Sequence, residues 1–215
     1  MDKKTMLIIC LAILILSEVS RRAFKNAVSN KLTRLLLNGE YEAFDKLADR
    51  FYTKYLVAPF NLDYIKMNSY LSRGDDRKVK EIFDHFENCR LNKAQRFAVY
   101  SNAFYYYLTL EDTQKCKKYY KLLKENADAS QDTTMIDWLN DAYVENGTKY
   151  LDEILSRYEN ARDSVKPQLD ALLARNYENK GDKKNANIYN KKLNEYAKEL
   201  DQKLNEQQEG KKDVE

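Results

Sequence analysis

Little in this sequence breaks a helix, and little in it marks a reaction centre. Five glycines and two prolines in 215 residues are too few for a chain of short strands and suit long helices. The three cysteines, Cys10, Cys89 and Cys116, are odd in number, far apart and without a C-x-x-C pair. That argues against a disulfide framework or a zinc site. The single histidine, His85, has only Asp84 beside it, and sequence neighbours point to different sides of a helix. A general base needs a partner and a pocket, and neither is evident. No phosphate loop, nucleophile elbow or H-E-x-x-H is present. An enzyme is therefore not expected, and no cofactor or metal is implied. Charge of one sign is also missing. Lys+Arg is 37 against Asp+Glu 34, a net of +3, which gives no bulk-charge case for a nucleic-acid partner.

Long apolar runs are rare too. The one present is Met6 to Leu16, 11 residues behind Lys3 and Lys4. It reads as the n-region and h-region of a signal sequence. The flank Ser17-Glu18-Val19-Ser20 has no A-x-A cleavage pattern, so residues 1–21 are read first as an uncleaved signal-anchor. A span needs about 17–25 residues, so the run is short, and snorkelling of Lys3, Lys4, Arg21 and Arg22 would have to extend it. The bases Arg21, Arg22, Lys25, Lys31 and Arg34 place the following domain in the cytoplasm by the positive-inside rule. The expectation is a single-pass membrane protein. A cleaved signal, leaving an extracytoplasmic or secreted chain, and a buried core helix stay open.

What the chain has in quantity is tyrosine, 17 in all, and the tyrosines are periodic. Turn residues Gly39, Gly74, Glu111, Gly147 and Gly181 stand 35, 37, 36 and 34 apart. Four residues before them are Leu35, Tyr70, Tyr107, Tyr143 and Tyr177, and eight after are Leu47, Ile82, Tyr119, Leu155 and Tyr189. A period near 35 signals a helical-repeat array. The repeats run about 22–57, 60–89, 92–124, 135–161 and 167–204 within one domain, 22–204. Apolar residues at helix spacing follow each turn: Phe44, Leu47, Ala48, Phe51 and Tyr55 after the first, then Val79, Ile82, Phe83 and Phe86 after the second. Asn92 and Gln95 form a capping-box pattern. Leu110-Glu111-Asp112 lacks the turn glycine, which suggests a slightly different turn there. The polar stretch Glu125 to Thr134 is the natural place for a flexible joint. Residues 205–215 read as a disordered tail. The fold class expected is all-α, an α-solenoid of about five helix-turn-helix repeats behind a hydrophobic N-terminal helix.

The unit resembles a tetratricopeptide repeat. Gly39-Glu40-Tyr41-Glu42-Ala43-Phe44 and Tyr177-x-x-x-Gly181-Asp182 carry the likeness most closely, and Ala174 fits the family's small position. The family's early tryptophan and closing proline are mostly absent. The resemblance implies a concave groove lined by the first helices, holding a protein or peptide partner. Carried over by position, that groove would present Tyr64 and Asn68, Ser101 and Tyr105, Asp137 and Asp141, and Arg175. The membrane, through the N-terminal segment, is the other expected partner. An alternative function is electrostatic binding of an anionic membrane surface or nucleic acid through Lys115, Lys117, Lys118, Lys121 and Lys124.

Overall fold

The computed structural model describes the backbone of residues 3–212 and the side chains of residues 16–203. Helix-period stripes and few breakers give an all-α chain, with no strand among the described residues. It divides into two units, residues 1–91 and 92–215. The first holds α1 (Lys3–Leu37), α2 (Tyr41–Ala48), α3 (Phe51–Leu56), α4 (Pro59–Ser72) and α5 (Asp76–Asn88). There α1 packs on α2, α3 and α4, and α4 packs on α5. The second holds α6 (Lys93–Thr109), α7 (Thr113–Asn126), α8 (Thr134–Leu139) continued by a π-helical turn (Asn140–Val144), α9 (Leu151–Glu159), α10 (Lys166–Lys180) and α11 (Lys183–Lys212). There α6 packs on α7, α7 packs on the π-turn, and α10 packs on the π-turn, α9 and α11.

The turns repeat atom for atom. Gly39, Gly74, Glu111 and Gly181 all have positive φ, between 55° and 78°. In each case the next residue donates its N–H to the carbonyl five back: Glu40 to Leu35, Asp75 to Tyr70, Asp112 to Tyr107 and Asp182 to Tyr177, at 2.9–3.0 Å. The left-handed residue itself donates to the carbonyl three back, as Gly39 does to Leu36 and Glu111 to Leu108, both at 3.1 Å. This is the Schellman ending of a helix, which satisfies carbonyls the helix leaves open. Asp75, Asp112 and Asp182 then cap the following helix, accepting from the N–H of Lys78, Lys115 and Asn185. A Gly-Asp pair thus stops one helix and starts the next. Glu111 keeps the same turn without glycine, so the different turn expected there is not found.

The side chains at these positions fill the hairpins. Tyr107 and Tyr119 stack at 5.4 Å and 9°, and Tyr177 and Tyr189 at 5.7 Å and 8°. The residue four before the turn meets the residue eight after it, in the same geometry, in both hairpins. Each of these positions in the first hairpin is leucine, and Leu35 and Leu47 share a core with Val28, Leu32, Phe44 and Leu62. Cations lie over several of the rings: Arg73 over Tyr70 at 4.8 Å, Lys115 over Tyr107 at 5.6 Å, and Lys192 over Tyr189 at 4.8 Å.

The fourth turn departs from the sequence register. Gly147 has no positive φ; Asn146 does, at 52°. The helix before it widens by one residue into the π-turn, with Glu145 N–H donating to Asn140 and Gly147 N–H to Asp141. The extra residue is taken up in the helix before the turn, so the N–H after the left-handed residue reaches six back, to Asp141, where the other turns reach five back. Counted from Asn146, the left-handed residues stand 35, 37, 35 and 35 apart. The position eight after the turn becomes Ile154, fully buried, in place of half-buried Leu155. Gly147 lies close to Asp141: a Cβ there would meet the carboxyl carbon at 2.8 Å, so that side chain would have to shift.

Three further expectations change. The apolar stripe drawn from Phe44 through Tyr55 is not one helix. The chain breaks after Ala48, where Asp49 pairs with Lys66 of α4 at 2.9 Å. Phe51 and Tyr55 are then 81% and 75% exposed, and Thr53 is the buried residue of α3. The polar stretch 125–134 is not where the units divide. Its turns are held by side chains, with Asp128 accepting from Ser130 N–H and Asp132 from Thr134 N–H. The last helix does not end at 204 but runs to Lys212, and residues 213–215 lie outside the described ones.

The membrane anchor is corrected outright. No helix among the described residues is long and apolar enough to cross a membrane, so the single-pass assignment, with a cytoplasmic repeat domain, does not stand. The run Met6–Leu16 gives 11 helical residues, about 16 Å at 1.5 Å per residue, against about 30 Å of hydrocarbon. The side chains of Met6 to Ile15 lie outside the described residues. The helix then continues without a boundary to Leu37. Glu18 accepts from Arg21 and Arg22, both at 2.9 Å, one turn on. These hydrogen bonds hold its carboxyl down at about 2. A carboxylate kept ionised there ends the apolar stretch.

Two substitutions test the shared turn and its stacked rings. Left-handed φ costs a non-glycine residue about 1–2 kcal/mol, and glycine's greater unfolded freedom offsets part of the relief. Glu111→Gly is expected to raise stability by about 1 kcal/mol in denaturant unfolding. Tyr119→Ala is expected to cost about 3–5 kcal/mol, because its ring is 1% exposed and leaves a cavity.

Candidate functional site

The groove-side residues fall in both units, and most of their polar atoms face inward. Tyr64 on α4 is half-buried, with its ring 5.6 Å from Phe60. Asn68, one turn on, is half-buried as well. On α6, the Ser101 hydroxyl donates to its own helix, at the Phe97 carbonyl, 2.8 Å. Asp137 on α8 accepts from the Tyr120 hydroxyl at 2.8 Å, Thr133 Oγ1 at 2.9 Å and Lys124 Nζ at 3.0 Å. Burial, and then that hydrogen bond to Asp137, push the Tyr120 hydroxyl well above the usual tyrosine range. Asp141 accepts from Lys149 N–H at 2.9 Å and so closes the turn that follows it. Arg175 on α10 donates to Asn146 Oδ1 at 2.8 Å and to the Ala142 carbonyl, and lies over the Tyr143 ring. Tyr105 on α6 differs from these. It is 41% exposed, with its ring edge against Phe104. Interface anchors are typically tyrosine, tryptophan or arginine, and Tyr105 is the one exposed residue of this set.

The lysine helix α7 is also engaged. Lys117 pairs with Glu145 at 3.2 Å and Lys124 with Asp137 at 3.0 Å. Lys115 and Lys118 lie over the rings of Tyr107 and Tyr119.

A cleft in the second unit was not foreseen. It has a volume of about 600 Å³ and is lined by α8, α9 and the start of α10. Met135, Trp138, Val165 and Leu169 form its apolar floor, and Asp132, Glu153, Arg157 and Asn160 stand among its polar lining. Trp138 and Leu169 also belong to the core of this unit, so the floor is rigid. Sequence gives Met135 and Trp138 as ordinary helix-face residues three apart. Only the approach of α10 to α8 and α9 makes them line a hollow.

A second cluster surrounds the only histidine. Asp63 on α4 places Oδ2 3.3 Å from His85 Nε2. Cys89, one helical turn after His85, places Sγ 3.3 Å from the same nitrogen. The i, i+4 spacing of His85 and Cys89 is readable in the sequence. Asp63 is 22 residues away and joins them only through the α4–α5 hairpin. Among the described residues, no group of three or more His, Cys, Asp and Glu side chains is arranged to hold a metal ion.

No protein-family model, no curated protein and no solved structure matches this chain. Asp137 provides a direct check on the placement of the groove residues. Truncating it removes the acceptor of the part-buried Tyr120 and Thr133 hydroxyls, while Lys124 keeps Thr133 Oγ1; a buried unsatisfied donor costs about 1–3 kcal/mol. Asp137→Ala is expected to lower stability in denaturant unfolding by at least that order.

Proposed function

We propose that this is a helical-repeat protein resembling the tetratricopeptide kind, with hairpins stacked as a solenoid within each unit. Its second unit binds an extended segment of a protein partner, seating an apolar side chain in the Trp138 cleft. The cleft carries this reading. Ligand sites are typically concave hollows of about 300–1,000 Å³ with an apolar floor and a few polar groups, and this one fits in size and lining. The repeated turn and the matching tyrosine stacks support the repeat reading. Of the groove-side residues, Tyr105 is the second contact we assign. Ser101, Asp137, Asp141 and Arg175 act by holding the surface in shape. Tyr64 and Asn68 belong to the first unit and extend the same proposal there.

The electrostatic alternative has less support. Four of its five lysines have ion-pair or ring partners within the fold, and a charged partner would have to compete with them.

The test uses the full chain against a random-peptide display library. Trp138 is the only tryptophan, so its emission reports directly on the cleft. Selected peptides are expected to carry a large apolar side chain and to shift that emission. Val165→Asp puts a carboxylate in the cleft at a half-buried position, where helix α10 starts. It is expected to weaken binding by at least about 30-fold, the loss of one anchor. Lys117→Glu with Lys121→Glu should change it little. Peptides that bind without moving Trp138 emission, and tolerate Val165→Asp, would count against the cleft.

A further inference from the structure

We propose that Cys89 is a site of reversible S-thiolation by small-molecule disulfides, with His85 as the neighbour that stabilises its thiolate and Asp63 as the residue that positions His85. The three groups converge on one atom. Asp63 Oδ2 and Cys89 Sγ each lie 3.3 Å from His85 Nε2. An N–H on Nε2 faces Asp63 Oδ2 and Cys89 Sγ together, and a carboxylate and a thiolate both accept from it. A neutral nitrogen with its lone pair toward Asp63 would meet only repulsion on that side. His85 also stands in the last turn of α5, where the helix dipole favours a cation. A cationic imidazole beside a cysteine favours the thiolate, the nucleophilic form.

Access and contrast support the assignment. The His85 side chain is 54% exposed and Asp63 32%, and Cys89 is half-buried at the end of its helix. A small solute can reach the sulfur. Cys116 is the opposite case. It is 1% exposed, and burial, with the Asp112 charge as a smaller cause, pushes its thiol up to about 11. In the reaction, the Cys89 thiolate attacks one sulfur of a disulfide R–S–S–R. A Cys89–S–S–R bond forms, the S–S bond of the reagent breaks, and the other sulfur leaves as the thiolate R–S⁻ with the electron pair and takes up from solvent the proton that Cys89 released. The sum is Cys89–SH plus R–S–S–R giving Cys89–S–S–R plus R–SH. A second thiol reverses it by the same exchange.

The experiment treats the full chain with glutathione disulfide at pH 6.5 and follows each cysteine by peptide mass spectrometry, which separates Cys89 from Cys10 and Cys116. An ordinary thiol is roughly 1% thiolate at that pH. Native Cys89 is expected to react about tenfold faster than the same residue in the urea-unfolded chain, although folding makes it less accessible. His85→Gln, at an exposed position, should bring the native rate to the unfolded rate or below. Asp63→Asn should lower it as well. Circular dichroism of both variants checks that the helices remain. A native rate no faster than the unfolded one overturns the proposal, as does a rate unchanged in either variant.

Discussion

One backbone hydrogen bond organises four of the hairpins. The N–H that follows a left-handed residue returns to the carbonyl at the end of the helix before it. The residue that owns that carbonyl is Leu35, Tyr70, Tyr107 or Tyr177, and its side chain points into the same hairpin. Turn and core are therefore tied through one residue. If the left-handed position moves, the core column moves with it. The aspartate that supplies the N–H in three of these turns also caps the next helix, so the same few residues set where one helix stops and the next begins.

This coupling explains which features were legible in the sequence. Tyr107 and Tyr119, or Tyr177 and Tyr189, are 12 residues apart across a turn, and a repeat spacing is enough to pair them. The fourth hairpin misled because a glycine is visible and a π-turn is not. Gly147 packs beside the Asp141 carboxyl, while Asn146 takes the left-handed angle. Asparagine tolerates that angle better than most residues, so the signal was present one position away. The break after Ala48 was hidden for a related reason. Phe51 and Tyr55 continue an apolar period from Phe44, yet the ion pair of Asp49 with Lys66 depends on a helix that the local pattern does not include.

The candidate sites were less legible than the fold, and the residues show why. Groove positions carried over by spacing say where a side chain starts, not where its atoms go. Asp137 and Asp141 share a helix face, yet one is held by Tyr120, Thr133 and Lys124 and the other closes a turn. The cleft depends on three elements meeting at Trp138 and Leu169. Likewise, His85 gains its carboxylate from the facing helix rather than from neighbouring Asp84. In the N-terminal run the 11 apolar residues are short of a span, and the anchor reading leaned on arginines that instead pair with Glu18, two residues beyond the run.

The central claim is that one left-handed turn recurs through the chain and that its fourth copy turns at Asn146, not at Gly147. Backbone φ angles from NMR chemical shifts and couplings test it most directly. Positive φ is expected at Gly39, Gly74, Glu111, Asn146 and Gly181, with slow amide exchange at Glu40, Asp75, Asp112 and Asp182, whose N–H groups close the turns. Positive φ at Gly147 in place of Asn146, or negative φ at Glu111, would contradict the account.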